Sequence, residues 1–184
     1  MALKYASIQF EHREIALRNK PKSMLLASPK GTVPVLCIHQ LVLDQSLDIM
    51  HWALEQSDPD GWSKVDEVES GIWIEKNDGP FKALLDQYKY LNRFPDLKWE
   101  DVVSAAIELM LQPMETRLSS SRYLLGDQMS WVDVAIFPFI RQFAAVNQTW
   151  FDGLAFAALQ SWLNQHLQSE LFHSVMDKYP TWSD

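Results

Sequence analysis

SPKGTVPVLCIHQLVLDQSLDI, residues Ser28 to Ile49, is the stretch on which the reading of the fold turns. It opens on a breaker cluster, Ser28-Pro29-Lys30-Gly31. Val33-Pro34-Val35-Leu36-Cys37-Ile38 follows, an apolar run that predicts a buried strand. His39-Gln40 turns into a second strand, Leu41-Val42-Leu43. Asp44 or Gln45 then caps a helix whose apolar side is Leu47, Met50, Ala53 and Leu54.

Outward from this core, Ser7 to Ile15 alternates. Ile8, Phe10 and His12 take one face and Gln9, Glu11 and Arg13 the other, which predicts a half-buried strand. Pro21 opens a short helix running to Ala27. On the other side, Ser57-Asp58-Pro59-Asp60-Gly61 reads as a linker, and the pattern beyond it is helical. Helices are expected over about Lys64 to Lys76, Pro80 to Arg93, Trp99 to Leu118, Ser130 to Val146 and Phe156 to Leu167. A last short one is expected near Ser169 to Lys178. Pro113 predicts a kink or break near Leu109. Strand, helix, strand, strand, helix and then helices alone is an α+β order: a small sheet unit at 1–57, a linker at 58–65 and an all-helical domain at 66–184.

Composition narrows the function classes. A chain of 184 residues, 47% hydrophobic, supports one large domain or two small ones. A net charge of -8, with no long basic cluster, argues against a nucleic-acid partner. No apolar run reaches the roughly 18 residues of a membrane span, and the N-terminus has no signal-peptide pattern. Cys37 is the single cysteine, so no internal disulfide forms and a reducing cytoplasmic setting is expected. The five histidines show no metal-ligand spacing, and no Gly-rich phosphate loop is present. Aromatic side chains such as Tyr88, Phe137 and Trp150 could line an apolar pocket in the helical part, but core packing is the stronger reading.

Two stretches carry a more specific signal. The first runs from Asn19-Lys20-Pro21 through Thr32-Val33-Pro34-Val35 to Asp44-Gln45-Ser46. The second is Leu125-Gly126-Asp127-Gln128-Met129-Ser130-Trp131-Val132-Asp133. Together the chain resembles the cytosolic glutathione S-transferase family, with the bacterial, omega-like branch nearest. The resemblance implies a thioredoxin-like N-terminal unit followed by a helical bundle, and glutathione as co-substrate. It implies a cis Val33–Pro34 bond that presents the Val33 N–H and C=O to the cysteinyl part of glutathione. The alternative is an ordinary proline at a strand start. Ser46 would take the γ-glutamyl carboxylate at a helix N-terminus, or serve only as the helix cap, or both. Gln45 would take the ammonium through its amide oxygen; many relatives carry Glu there, so neutral Gln holds it less strongly. Lys20 would face the glycyl carboxylate, or remain a solvated surface lysine. Ser130-x-x-Asp133 is a capping box that opens a central buried helix, a structural role.

The resemblance also implies a first strand and a catalytic turn ahead of the first helix. Met1 to Ala6 matches the second half of that helix, so roughly 15–20 residues of the pattern are missing. No residue here inherits the nucleophile. Cys37, inside the strand after Pro34, is expected to be buried and inert. Tyr5 lies at the wrong end of the helix remnant. Without the first strand, the segments Ile8 to Ile15 and Val33 to Ile38 lack a ladder partner, so the first unit is expected to be rearranged, partly disordered or completed by strand exchange with a second chain. Two functions follow. One is a glutathione-conjugating or thiol-transferring enzyme, weak or inactive as this chain stands, acting on an apolar or disulfide small molecule and forming a homodimer. The other is a non-catalytic partner-binding or dimerisation protein on the same scaffold.

Overall fold

Leu36–Ile38 (β1) and Leu41–Leu43 (β2) pair antiparallel with Leu36 opposite Leu43, Cys37 opposite Val42 and Ile38 opposite Leu41. The two-residue turn between them puts His39 at φ 52°, the left-handed region that tight hairpin turns require. This is the whole sheet in the computed structural model, which describes residues 1–184. Three helices accompany it: Ala2–Tyr5 (α1), Lys22–Ala27 (α2) and Ser46–Gln56 (α3). α3 buries Ile49, Met50, Ala53 and Leu54.

The chain forms two units. One is Met1–Ser63 with Glu170–Asp184, and the other is Lys64–Ser169. In the first, Asp58 acts as a polar hub. It accepts Tyr5 Oη at 2.9 Å, Trp62 N at 2.7 Å, Ser63 N at 2.9 Å and Ser63 Oγ at 2.6 Å. Burial opposes ionisation of Asp58, but the bonds from Ser63, Tyr5 and Trp62 outweigh it and hold the carboxyl below its ordinary pKa. The Tyr5 ring stacks on Trp62 with centroids 3.6 Å apart.

Two expectations for this unit are corrected. Ser7 to Ile15 is not a strand. Its backbone makes one isolated parallel bridge, Glu14 with Thr181, and Phe10 and His12 are exposed. Alternation sets which side chains share a face, but a strand needs a neighbour to take its N–H and C=O groups, and none lies beside Gln9 to Arg13. Val33 to Ile38 is a strand only from Leu36, and Cys37 is exposed rather than buried. A two-stranded sheet has an outer face and an open edge, and Cys37 lies where they leave it uncovered.

The second unit is helical: Glu67–Lys76 (α4), Lys82–Lys89 (α5), Trp99–Ala106 (α6), Gln112–Leu118 (α7), Trp131–Val146 (α8), Gln148–Asp152 (α9) and Ala157–Leu167 (α10). Glu170–His173 (α11) follows in the first unit. α4 runs into α5 through a π-helical turn at Asn77–Phe81, although Asn77-Asp78-Gly79-Pro80 reads as a break between helices. Burial of Asn77 and Phe81 holds the turn in the core, and its wider winding absorbs Pro80. The kink expected at Pro113 takes the same form, a π-helical turn at Ile107–Leu111. Tyr88 and Phe137 are buried core residues, while Trp150 packs edge-on against Trp99 at 5.5 Å. No helix is long and apolar enough to cross a membrane.

Asp133 organises this unit. Fully buried, it accepts Ser130 N at 3.0 Å and Ser130 Oγ at 2.7 Å on one oxygen. The other oxygen accepts Leu124 N at 3.0 Å and Trp162 Nε1 at 2.9 Å. One turn after Trp162, His166 lies 2% exposed against Phe137, ring centroids 5.1 Å apart, and its Nε2 has no hydrogen-bond partner. Burial lowers the His166 pKa to about 4, against the opposing pull of the Asp133 charge.

Asp133→Ala leaves three buried N–H donors unpaired and lowers the unfolding free energy by roughly 3 kcal/mol or more, read from urea denaturation. His166 is neutral when folded and takes a proton readily when unfolded. Its contribution to stability is full above pH 6.5 and is lost as pH falls toward its folded value of about 4. Between pH 7 and pH 5 the wild type therefore loses about 2 kcal/mol that His166→Leu does not lose. Equal losses in both proteins contradict this.

Candidate functional site

The residues singled out for glutathione all lie in the first unit. They sit around one polar clamp. Ser28, 1% exposed, donates from Oγ to Asp44 Oδ2 at 2.8 Å. Lys30 Nζ meets Asp44 Oδ1 at 2.8 Å. The Lys30 ammonium and then the Ser28 hydroxyl hold the Asp44 carboxyl below its ordinary pKa. The clamp joins the Ser28–Gly31 turn to the end of β2, and so fixes Gln45 and Ser46, which follow Asp44 directly. Asp44 read as a possible helix cap; its partners sit more than a dozen residues earlier, where no local spacing announces them.

Gly31 has φ 61°, and a Cβ placed there would lie 3.1 Å from Leu25 Cδ2 and 3.5 Å from Lys20 Nζ. The Lys20 ammonium is thereby laid across this turn, and Lys20 makes no ion pair. The Val33–Pro34 peptide bond is cis, as the resemblance implies. Val33 is 49% exposed, and its backbone groups take no part in the ladder. Gln45 is the N-cap of α3 in extended conformation, and its side chain makes no cap bond. Ser46 is therefore not the cap but the first helical residue, where the backbone N–H groups of the first turn have no partner in the helix. An 11-residue helix presents the positive end of its dipole there.

Two cavities border this region. A small one of about 160 Å³ is lined by Arg13, Ile15, Met24, Val33, Val35, Cys37 and Trp182 among others. An open groove of about 1320 Å³ lies between the Gln9–Ile15 segment and the Val33–Ile38 edge. Val33 lines both cavities and Pro34 lines the groove; Lys20, Gln45 and Ser46 line neither. Tyr5 is a structural group: burial first, then the Asp58 carboxylate, push its pKa up to about 12, far from a usable phenolate. No group of three or more His, Cys, Asp or Glu side chains is placed to hold a metal ion.

The N-terminal domain model of glutathione S-transferases matches residues 1–61, and the C-terminal domain model matches residues 97–165. Between them the two halves of one family account for more than half of the sequence. The chain belongs to the glutathione S-transferase family. Among solved structures of this fold, glutathione S-transferase-I bound with lactoylglutathione is similar over 95% of this chain and 89% of its own, with a TM-score of 0.73 and 22% identity. The ternary complex of BphK, a bacterial glutathione S-transferase, covers 94% and 88%, with a TM-score of 0.76 and 21% identity. Hematopoietic prostaglandin D synthase of Rattus norvegicus is 23% identical over 70% of this chain, and the chain spans 64% of that relative's length. The human synthase matches at the same 23%. The fold is that of this family: a small N-terminal sheet unit followed by helices.

Asp44→Asn removes the charge that holds Lys30 and leaves Ser28 an acceptor. The Gly31 N–H, bonded to the Ser28 carbonyl at 3.0 Å, then exchanges its hydrogen several-fold faster at neutral pH, while global unfolding hardly moves. Because the folded Asp44 pKa is lowered, the wild-type turn holds at neutral pH and loosens only as pH falls through that value. Exchange at Gly31 that is identical in the two proteins contradicts the clamp.

Proposed function

We propose that the first unit binds glutathione along Val33 and at the N-terminus of α3, in the manner of the bacterial, omega-like branch. The observation that carries this reading is the exposed, unladdered backbone of Val33 in the same unit as a helix start that bears Ser46 and an unbonded Gln45 amide. Val33 offers one donor and one acceptor, as a strand edge does to a peptide. Ser46 offers its hydroxyl and N–H to the γ-glutamyl carboxylate. Gln45 takes the ammonium through its amide oxygen, and Lys20 takes the glycyl carboxylate. The co-substrate is an apolar or disulfide small molecule, and the setting is cytoplasmic.

We assign no nucleophile among the side chains of residues 1–184. Tyr5 is held protonated, its pKa pushed up to about 12, and Cys37 lies in β1, opposite Val42. The protonated Tyr5 hydroxyl therefore does not serve as the base that activates a bound thiol. A second reading, a partner-binding or dimerising protein on this scaffold, draws on the unpaired backbone from Gln9 to Arg13. An exposed edge of that kind pairs with another chain, as in a homodimer with exchanged strands.

Titration of the purified chain with glutathione in a calorimeter tests the first reading. Binding is expected, with Ser46→Ala weakening it about tenfold, since a bond to a charged carboxylate is lost. Lys20→Ala weakens it no more than about fivefold, because the pair is exposed and screened. No heat at 10 mM glutathione, or equal affinity for wild type and Ser46→Ala, overturns the site.

A further inference from the structure

The outer face of α2 carries apolar side chains that nothing covers. Ser23, Met24 and Ala27 line the small cavity, whereas Leu25 and Leu26 border neither cavity of the first unit. Leu26 is 84% exposed, more than any other large apolar side chain of the chain, and Leu25 is 40% exposed. Lys22 lies three and four positions before them, so the three share one face of the helix. The patch continues onto the following turn. The Lys20 ammonium and a Leu25 methyl group both lie over Gly31, 3.5 and 3.1 Å from where a Cβ would stand. Lys30 adjoins Gly31 directly. Two leucines are thereby set among three lysines.

The positive charge is local. From Ile15 to Lys30 the chain holds Arg18 and these three lysines and no Asp or Glu, although its net charge is -8. Lys20 and Lys22 stand in no ion pair. The carboxylates that reach this segment are already engaged. Asp44 holds Lys30 and Ser28, and Asp184 accepts the backbone N–H groups of Lys22 and Ser23. Lys30 still leaves 54% of its side chain exposed.

The mixture of cations and leucines selects among anionic partners. A nucleic-acid backbone would pair with the lysines but offers no apolar ground to Leu25 and Leu26. A stable protein–protein interface takes roughly 20–30 residues a side, and this patch is a handful of side chains on a six-residue helix and one turn. An anionic bilayer asks for no fixed shape. Each cation near its surface adds a similar small increment, and apolar side chains enter the boundary between headgroups and acyl chains.

We propose that Lys20, Lys22, Leu25, Leu26 and Lys30 form a docking face for an anionic membrane surface, on which the protein rests reversibly with Leu26 inserted. No helix crosses the bilayer in this arrangement. The face goes beyond the glutathione reading and does not depend on it. Lys20 is common to both, so the test leaves Lys20 unaltered.

The full chain is sedimented with vesicles of phosphatidylcholine containing about 40% phosphatidylserine at roughly 20 mM salt, where surface charge is least screened. Binding is expected there, with none to phosphatidylcholine alone and loss at roughly 500 mM salt. Lys22→Glu is expected to weaken binding about tenfold and Leu26→Ser about fivefold. Both side chains lie outside the core, so neither change removes a packing contact the fold needs. Val68→Ser, at a side chain of α4 that is 74% exposed, is expected to leave binding unchanged. Soluble glycerophosphoserine should not compete, because a free headgroup has no apolar layer for Leu26. Equal binding to both kinds of vesicle, an unchanged affinity in Leu26→Ser, or full competition by glycerophosphoserine overturns the proposal. Self-association without vesicles that Leu26→Ser abolishes overturns it too, since it gives the face to a second copy of the chain.

Discussion

The helical unit depends on one buried carboxylate. Asp133 carries a charge in a site with no exposure to water, where an unpaired charge is expensive. Four donors meet it, and they come from three places: the start of α8, the turn at Leu124 and the indole of α10. The same bonds that offset its desolvation thereby lock three segments to one point. Trp162 cannot shift along α8 without leaving Asp133 a poorer set of donors. His166, one turn further on, is fixed against Phe137 by the same constraint and stays neutral there.

The first unit has no such centre. Its sheet is two short strands, and an isolated pair of that size is marginal in water. Three aspartates do the work that a wider sheet would do. Asp58 gathers Tyr5, Trp62 and Ser63; Asp44 gathers Ser28 and Lys30; Asp184 gathers the first amides of α2. Each clamp joins pieces of chain at their ends rather than along their length. The cost of that solution is open backbone, from Gln9 to Arg13 and at Val33.

What could be read from the sequence was what local spacing encodes. Ser130 and Asp133 are three apart, so a capping box is visible, and the two-residue turn between apolar runs announces β1 and β2. Pro113 marked the place where α6 winds wide before α7, though not the form it takes. Ser7 to Ile15 misled because alternation reports which side chains share a face and says nothing of whether a partner strand is present. Cys37 misled for the same reason: an apolar run is buried only where another layer covers it. The second and third donors to Asp133, Leu124 N and Trp162 Nε1, lie 9 and 29 positions away and leave no periodic trace. Asp184 and Lys22 are 162 positions apart, and nothing in either neighbourhood points to the other.

Val33 is where the two openings of the first unit meet. It borders the open groove on one side and the small cavity under Trp182 on the other. The Trp182 ring lines the same small cavity as Val33. The small cavity is bounded on that side by one indole. That indole is held by a single main-chain bond, a cation over its face and a carboxylate two residues on. The shape of the small cavity therefore depends on these three anchors together with the walls supplied by Ile15, Met24 and Val35.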